Sequence, residues 1–98
     1  MTIEKRINDT EMTLILGGRL DTVSAPQLEK EIKQEIGNIK KLILDFESLD
    51  YLSSAGLRVV LMSQKIMNKQ GKMIVRNVNE TIREIFEMTG FIGILTLE

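Results

Sequence analysis

The order of hydrophobic patterns along the chain constrains its fold most strongly, because strand-like and helix-like patterns alternate. Apolar residues with a period of two predict a hairpin of two strands, over 3–7 and 12–16, joined by a turn at 8–11 and ended by Gly17 and Gly18. Apolar residues spaced by three and four predict helices over 25–36 and from 54 to about 69. A third helix is expected to begin after Asn77 or Asn79 and to end at Gly90.

Unbroken apolar runs at 42–44, leading to Asp45 and Phe46, and at 73–75 predict central strands, and residues 91–97 are expected to form a last strand or an extended tail. The predicted order is β-β-α-β-α-β-α-β, which is typical of the α/β class. We therefore expect one domain over 1–98, with a mixed sheet of four or five strands whose first strand is antiparallel at or near an edge.

The first predicted helix indicates where the helices lie. It has one narrow apolar stripe, formed by Ala25, Leu28, Ile32 and Ile36. A helix of this kind buries only one side, so the helices are expected mainly on one face of the sheet. Thr22 or Ser24 is expected to cap this helix.

Composition excludes several classes of function. The chain has no cysteine and no histidine, which removes disulfides, thiol chemistry and the Ser-His-Asp triad. Its 13 basic and 14 acidic residues are interleaved, so no nucleic-acid or anionic membrane surface is expected. The chain shows no apolar run long enough to span a membrane and no signal-peptide plan, so a cytoplasmic location is expected.

The strongest local signal is the stretch DYLSSAGL at 50–57, where a predicted strand, a loop and a helix start meet. Ligands of open α/β sheets gather outside the carboxyl ends of the strands. Small residues there would let another molecule approach the backbone, and the free N–H groups of a helix start favour a phosphoryl group on Ser54. The alternative interpretation is structural, with Ser53 as a helix cap and Gly56 as a packing glycine.

Four segments together resemble the STAS family, the sulphate-transporter and anti-sigma-factor-antagonist domain, especially its stand-alone bacterial antagonists. They are LGGRLD at 16–21, LILDF at 42–46, YLSSAGL at 51–57 and IFEMTGF at 85–91. The resemblance covers residues 2–97, and the order of the segments makes it specific.

The resemblance implies a binding protein without a catalytic residue, cofactor or metal, acting as a monomer through partner switching. The unmodified protein would bind an anti-sigma factor that is also a serine kinase, phosphorylation would release it, and a PPM-class serine phosphatase would restore binding. Ser54 matches the phosphorylated serine of the family, with Ser53 as the alternative acceptor. Asp21 matches an acidic residue of the neighbouring loop. The expected partner-binding residues are Asp21, Thr22, Ser53, Ala55, Gly56 and Leu57.

One position departs from the family pattern: Ser53 stands where many antagonists have an acidic residue. Two rival functions follow from the residues. One is a STAS module that is not phosphorylated and serves as a scaffold or ligand sensor, and the other is a small enzyme that uses carboxylates.

Three further site types are weaker interpretations. Asp21, Asp45, Glu47 and Asp50 could hold Mg²⁺ but are more typical of a solvated face. Gly17 and Gly18 lack the later glycine of a dinucleotide loop. A phospho-accepting receiver domain needs an acidic pair after its first strand, whereas Asn8 and Asp9 precede a hairpin.

Overall fold

Four strands and three helices make up the computed structural model of the chain, which describes residues Met1–Glu98. The strands are β1 (Thr2–Asn8), β2 (Glu11–Leu20), β3 (Lys41–Leu52) and β4 (Lys72–Arg76). The helices are α1 (Ala25–Glu35), α2 (Ser54–Gln70) and α3 (Glu80–Thr89), with 3₁₀ turns at Ile36–Asn38 and Phe91–Gly93. None of the helices combines the length and the apolar composition that crossing a membrane requires. The predicted element order is confirmed as far as α3.

The sheet is mixed, with the strand order β1-β2-β3-β4. β1 is antiparallel to β2 and forms one edge, while β2, β3 and β4 run parallel. The hairpin turn is shorter than predicted, because only Asp9 and Thr10 separate the two strands. Asp9 has a φ of 58°, a left-handed conformation that aspartate tolerates better than most residues. The prediction of a mixed sheet with an antiparallel edge strand is confirmed.

The hydrophobic core lies on one face of the sheet. It is a single cluster of 23 buried residues to which all three helices contribute. Leu42 and Leu44 of β3 belong to this cluster, whereas Ile43 between them and Ile74 of β4 are buried outside it. Since successive side chains of a strand point to opposite faces, Ile43 lies on the face away from the helices. The helices therefore pack on one face, as the narrow stripe of α1 predicted.

β2 and β3 are longer than predicted. The pairing of β2 with β3 is irregular between Ile15 and Gly17 and again between Gly18 and Arg19, and Gly18 has a φ of 88°. The two glycines therefore form an irregularity within β2 rather than its end. Beyond it the two strands pair again, as far as Leu20 opposite Leu52. Residues 47–52, which follow the predicted central strand, are consequently part of β3.

The segment after α3 forms a last strand only in its final residues. Gly90 ends α3 in the left-handed conformation, with a φ of 80°, and the chain continues as a 3₁₀ turn over Phe91–Gly93. The predicted strand over 91–97 is therefore wrong in its first half. The tail then meets β4, where the Val75 N–H donates to Thr96 O and the Glu98 N–H donates to Val75 O, both at 2.9 Å. The fifth strand is thus a single parallel bridge between Val75 and Leu97.

Candidate functional site

The carboxyl ends of β2 and β3 place the predicted site residues at one corner of the molecule. Leu20 and Leu52 are opposite each other in the sheet, and the Ser53 N–H donates to Leu20 O at 2.9 Å. Asp21 follows directly after Leu20, and Ser53 alone separates β3 from the first residue of α2, Ser54. Ser54 and the Asp21 loop therefore lie at the same end of the sheet, as the sequence predicted.

The two serines have different surroundings. Ser53 caps α2, because its backbone is extended and its Oγ accepts a hydrogen bond from the Gly56 N–H at 3.3 Å. It is half-buried. Ser54 is exposed, and its hydroxyl has no hydrogen-bond partner within the protein. The predicted capping role of Ser53 is confirmed, and it leaves Ser54 as the accessible hydroxyl of the pair.

Asp21 organises the loop between β2 and α1. Its Oδ1 accepts hydrogen bonds from the N–H groups of Val23 and Ser24, both at 3.1 Å. The hydrogen bond from the Ser24 N–H lowers the pKa of Asp21, and the Ser24 hydroxyl, the Val23 N–H and Arg19 lower it further. Partial desolvation of the Asp21 carboxylate acts in the opposite direction but does not outweigh them. Ser24 occupies the cap position of α1 but does not cap it with its side chain, because its Oγ donates to Arg19 O at 2.7 Å. Thr22 does not cap α1 either, and the prediction of a side-chain cap there is wrong.

A shallow open groove of about 180 Å³ lies beside Ser54, between the first turns of α1 and α2. Thr22 and Ala55, two of the predicted partner-binding residues, line it. Its walls also carry opposite charges, from Glu29 on α1 and Arg58 on α2. Arg58 was not predicted as a site residue. Its position four residues after Ser54 on a predicted helix nevertheless places the two residues on the same side of that helix.

Gly56 and Leu57 lie behind this surface. Both are buried, and the Leu57 side chain, which is 6% exposed, belongs to the core. A Cβ atom at position 56 would lie 2.6 Å from the Leu20 Cγ and 2.9 Å from the Leu52 Cδ1. Gly56 thus lets α2 approach the ends of β2 and β3, which agrees with the packing interpretation. The contact of Gly56 and Leu57 with a partner remains a prediction. The burial of both residues does not favour such a contact.

Two exposed features near the ends of β2 and β3 were not predicted. Val23 is 87% exposed at the tip of the Asp21 loop. The Arg19 guanidinium lies over the ring of Tyr51, with its Cζ 4.1 Å from the ring centroid. A lone valine in a polar loop was a signal available in the sequence. The sequence gives no such signal for the Arg19–Tyr51 pair, because this pair depends on the irregular register of β2 and β3.

The acidic residues do not form a catalytic or metal-binding cluster. Asp45 is 6% exposed in β3 and accepts hydrogen bonds from Asn77 Nδ2 at 3.0 Å, from the Glu47 N–H at 3.0 Å and from Arg76 Nε at 3.2 Å. Burial alone would raise the pKa of Asp45, but these donors outweigh it and lower that pKa. No three acidic residues converge, and the groove contains a single carboxylate, that of Glu29. The geometry therefore does not support the carboxylate enzyme or the magnesium site.

Comparison with known proteins agrees with this fold. BtrV of Bordetella bronchiseptica, named as a candidate anti-sigma factor antagonist, is 36% identical over 88 residues, which cover 88% of this chain and 76% of BtrV. The anti-sigma-B factor antagonist of Bacillus subtilis is 24% identical over 98 residues, covering 99% of this chain and 90% of that protein. The structure of unphosphorylated SpoIIAA, an anti-sigma factor antagonist, superimposes with a TM-score of 0.86 at 23% identity, over 99% of this chain and 88% of SpoIIAA.

The sequence profile of the STAS domain matches residues 2–98. This match includes every strand and helix described above. The chain therefore belongs to the STAS domain family, as its four sequence segments indicated.

Proposed function

We propose that this protein is an anti-sigma factor antagonist that changes partners through phosphorylation of Ser54. Unmodified, it binds an anti-sigma factor that is also a serine kinase. Transfer of a phosphoryl group to the Ser54 hydroxyl releases that partner, and a PPM-class phosphatase removes the group by hydrolysis. The names of the relatives support the antagonist role, and SpoIIAA, which shares the fold, has been solved in a phosphorylated form with a TM-score of 0.80.

The single observation that carries the proposal is the exposed, unbonded hydroxyl of Ser54 at the first position of α2. A kinase can reach this oxygen without disrupting a hydrogen bond of the fold. A phosphate there also meets the free N–H groups of the helix start, which favour negative charge. Ser53 is the weaker acceptor, because its hydroxyl oxygen already caps the helix.

The surface around Ser54 has the chemistry of a protein interface. Val23 offers an apolar contact, and the stacked pair of Arg19 and Tyr51 combines residue types that are enriched in binding hot spots. Thr22 and Ala55 line the groove between α1 and α2. We propose that the kinase covers this surface, which we call the Ser54 face: Arg19, Asp21, Thr22, Val23, Tyr51, Ser53, Ser54 and Ala55.

A phosphate on Ser54 would oppose binding through charge and size. It brings about −1.5 to −2 charges at neutral pH to the end of the sheet that already carries the carboxylate of Asp21. Unfavourable charge contacts in an interface cost several kcal/mol, so we expect affinity to fall at least about a hundredfold, or roughly 2.8 kcal/mol.

Two experiments test this function. Affinity capture with Ser54→Ala, which cannot be released by phosphorylation at this position, is expected to retain an ATPase that phosphorylates the wild-type protein. Calorimetric titration of that ATPase with the unmodified and phosphorylated forms then measures the loss of affinity. Ser54→Asp is expected to reproduce part of that loss, because a carboxylate has less charge and bulk than a phosphate.

Thr10→Asp is the matched control, because Thr10 is likewise exposed but lies in the turn between β1 and β2, at the other end of β2 from the Ser54 face. It is expected to leave the affinity unchanged. Equal affinity of the two phosphorylation states would contradict partner switching. Signalling that persists unchanged in Ser54→Ala would instead favour the scaffold or ligand-sensing module.

A further inference from the structure

We propose that Arg58 binds the phosphate of phosphorylated Ser54 within the same chain, so that the modified protein holds its own phosphate across the mouth of the groove. This inference rests on the proposed modification of Ser54 and concerns what the phosphate contacts once it is in place. It makes Arg58 a residue that stabilises the released state.

Helix geometry brings the two side chains together. Ser54 is the first residue of α2, and Arg58 follows one turn later on the same side. Side chains of an α-helix lean towards its amino terminus, so the Arg58 side chain extends over the turn that begins with Ser54. An acidic group four residues before a basic one is also the more favourable order for such a pair. The phosphate would therefore be within reach of Arg58 without movement of the backbone.

Arg58 is available for this contact. It is exposed, and none of the ion pairs of the protein includes it. Glu29, on the opposite wall of the groove, pairs with Lys33 at 3.3 Å. Arg19 is stacked on Tyr51 and lies 3.7 Å from the Asp21 carboxylate. Among the charged residues that line the groove or belong to the Ser54 face, namely Arg58, Glu29, Asp21 and Arg19, Arg58 is thus the cation without a partner.

The chemistry of the pair is favourable. A guanidinium presents paired N–H donors that match two phosphate oxygens, and such charge-assisted bonds are stronger than neutral ones. In the phosphorylated protein the Arg58 charge would be paired with the phosphate. A partner that contacts Arg58 in the unmodified protein would therefore lose that contact on phosphorylation. A carboxylate at position 54 is shorter and carries one charge, so it would form this contact less well.

The test uses phosphoserine incorporated at position 54 during translation, so that it depends neither on a kinase nor on a partner. Phosphorus NMR gives the second pKa of the phosphate, about 6 for an unperturbed phosphoserine. Arg58→Gln is expected to raise that pKa by about 0.2–0.4 unit relative to the chain that retains Arg58. Arg58→Lys is expected to restore part of the difference, since lysine keeps the charge but not the paired donors.

Lys65→Gln is the control, because Lys65 is an exposed cation of the same helix that lies about three turns after Ser54, out of reach of its phosphate. It is expected to leave the phosphate pKa unchanged. In nitrogen NMR spectra, the Arg58 side-chain N–H signal is expected to shift and exchange more slowly when position 54 carries the phosphate. A phosphate pKa that is the same in Arg58→Gln and in the parent chain would overturn the inference, whatever the binding experiments show about partner switching.

Discussion

Ser53 and Ser54 have the same side chain and opposite roles in the structure. The hydroxyl of Ser53 is used by the fold, as the cap of α2, whereas the hydroxyl of Ser54 is exposed and unbonded. A helix start leaves N–H groups unsatisfied, and a capping oxygen at the position before the helix meets one of them. The stability of the protein should therefore depend on Ser53, and its regulation on Ser54.

Alanine substitutions separate these roles. Ser53→Ala removes the acceptor for the Gly56 N–H, so it is expected to lower the free energy of unfolding by about 1 kcal/mol. Ser54→Ala removes no hydrogen bond, and its effect is expected to be within about 0.5 kcal/mol. Urea denaturation of both variants, with the wild type alongside, measures the difference. A larger loss in Ser54→Ala than in Ser53→Ala would contradict the assignment of the cap.

Asp45 gives the protein a specific sensitivity to acid. Its pKa is lower in the folded state than the ordinary value of 3.8, because Asn77, the Glu47 N–H and Arg76 stabilise the charged form. The stability that comes from this charge is fully present above the ordinary pKa and is lost as the pH falls through the lowered one. Asp45→Asn is expected to be less stable near neutral pH, by about 1–3 kcal/mol, and to lose less of its stability between pH 5 and 2. Unfolding titrations over this range test the prediction, and parallel pH profiles for the two proteins would refute it.

At the scale of elements, periodicity predicted the helices more completely than the strands. Glycine and asparagine marked the ends of α3, and the structure has Asn79 as its cap and Gly90 at its end. The extension of β3 to Leu52 was missed because exposed polar residues at 47, 48 and 50 hide its pairing with β2. Such pairing depends on the register of a distant strand, which local patterns do not encode.

The candidate site, like the fold, was predictable from the sequence only in part. The Ser54 position and the nearby Asp21 loop followed from the order of strands and helices. The groove and the Arg19–Tyr51 pair did not, because each results from contacts between elements far apart in the sequence.

The contact between α2 and the ends of β2 and β3 depends on Gly56. In Gly56→Ala the added methyl group would lie 2.6 Å from the Leu20 Cγ and 2.8 Å from Leu20 O, and the backbone oxygen cannot easily move. Overpacking of this kind typically costs about 1–3 kcal/mol, which exceeds the gain of about 1 kcal/mol from replacing glycine in a helix. We therefore expect a net loss of stability on thermal unfolding.

Gly37→Ala is the matched substitution, since a Cβ there would meet nothing within 4 Å. It is expected to be neutral or slightly stabilising. If Gly56→Ala were as stable as Gly37→Ala, close packing of α2 on the strand ends would not be the reason for glycine at position 56.

At the scale of the whole molecule, the helices cover one face of the sheet and the Ser54 face occupies one end of it. The core does not extend to the hydroxyl that we propose is modified. A phosphate at a helix start is itself favourable by about 0.3–1 kcal/mol. The modified protein should therefore keep its fold.

Phosphorylated and unmodified proteins are expected to differ little in thermal stability. A gain of up to about 1 kcal/mol corresponds to a rise in melting temperature of up to about 8 °C for a domain of this size. Calorimetry gives this value, and backbone NMR shifts show whether changes are confined to the first turn of α2 and the Asp21 loop. A large fall in melting temperature, or shifts spread through the core, would mean that release works by unfolding.

The one-residue connection between β3 and α2 affects how fast such a switch can respond. Ser53 is held at both its backbone N–H and its hydroxyl, so this corner has no hinge. Proteins that signal by moving a loop or a domain need microseconds to milliseconds for each rearrangement. If Ser54 is modified as we propose, binding and release need no movement of this corner. We then expect the delay between stimulus and response to be determined by the enzymes that add and remove the phosphate and by the lifetime of the complex. We expect association and dissociation traces with a single phase, whose rates a cell would tune through the amounts of kinase and phosphatase.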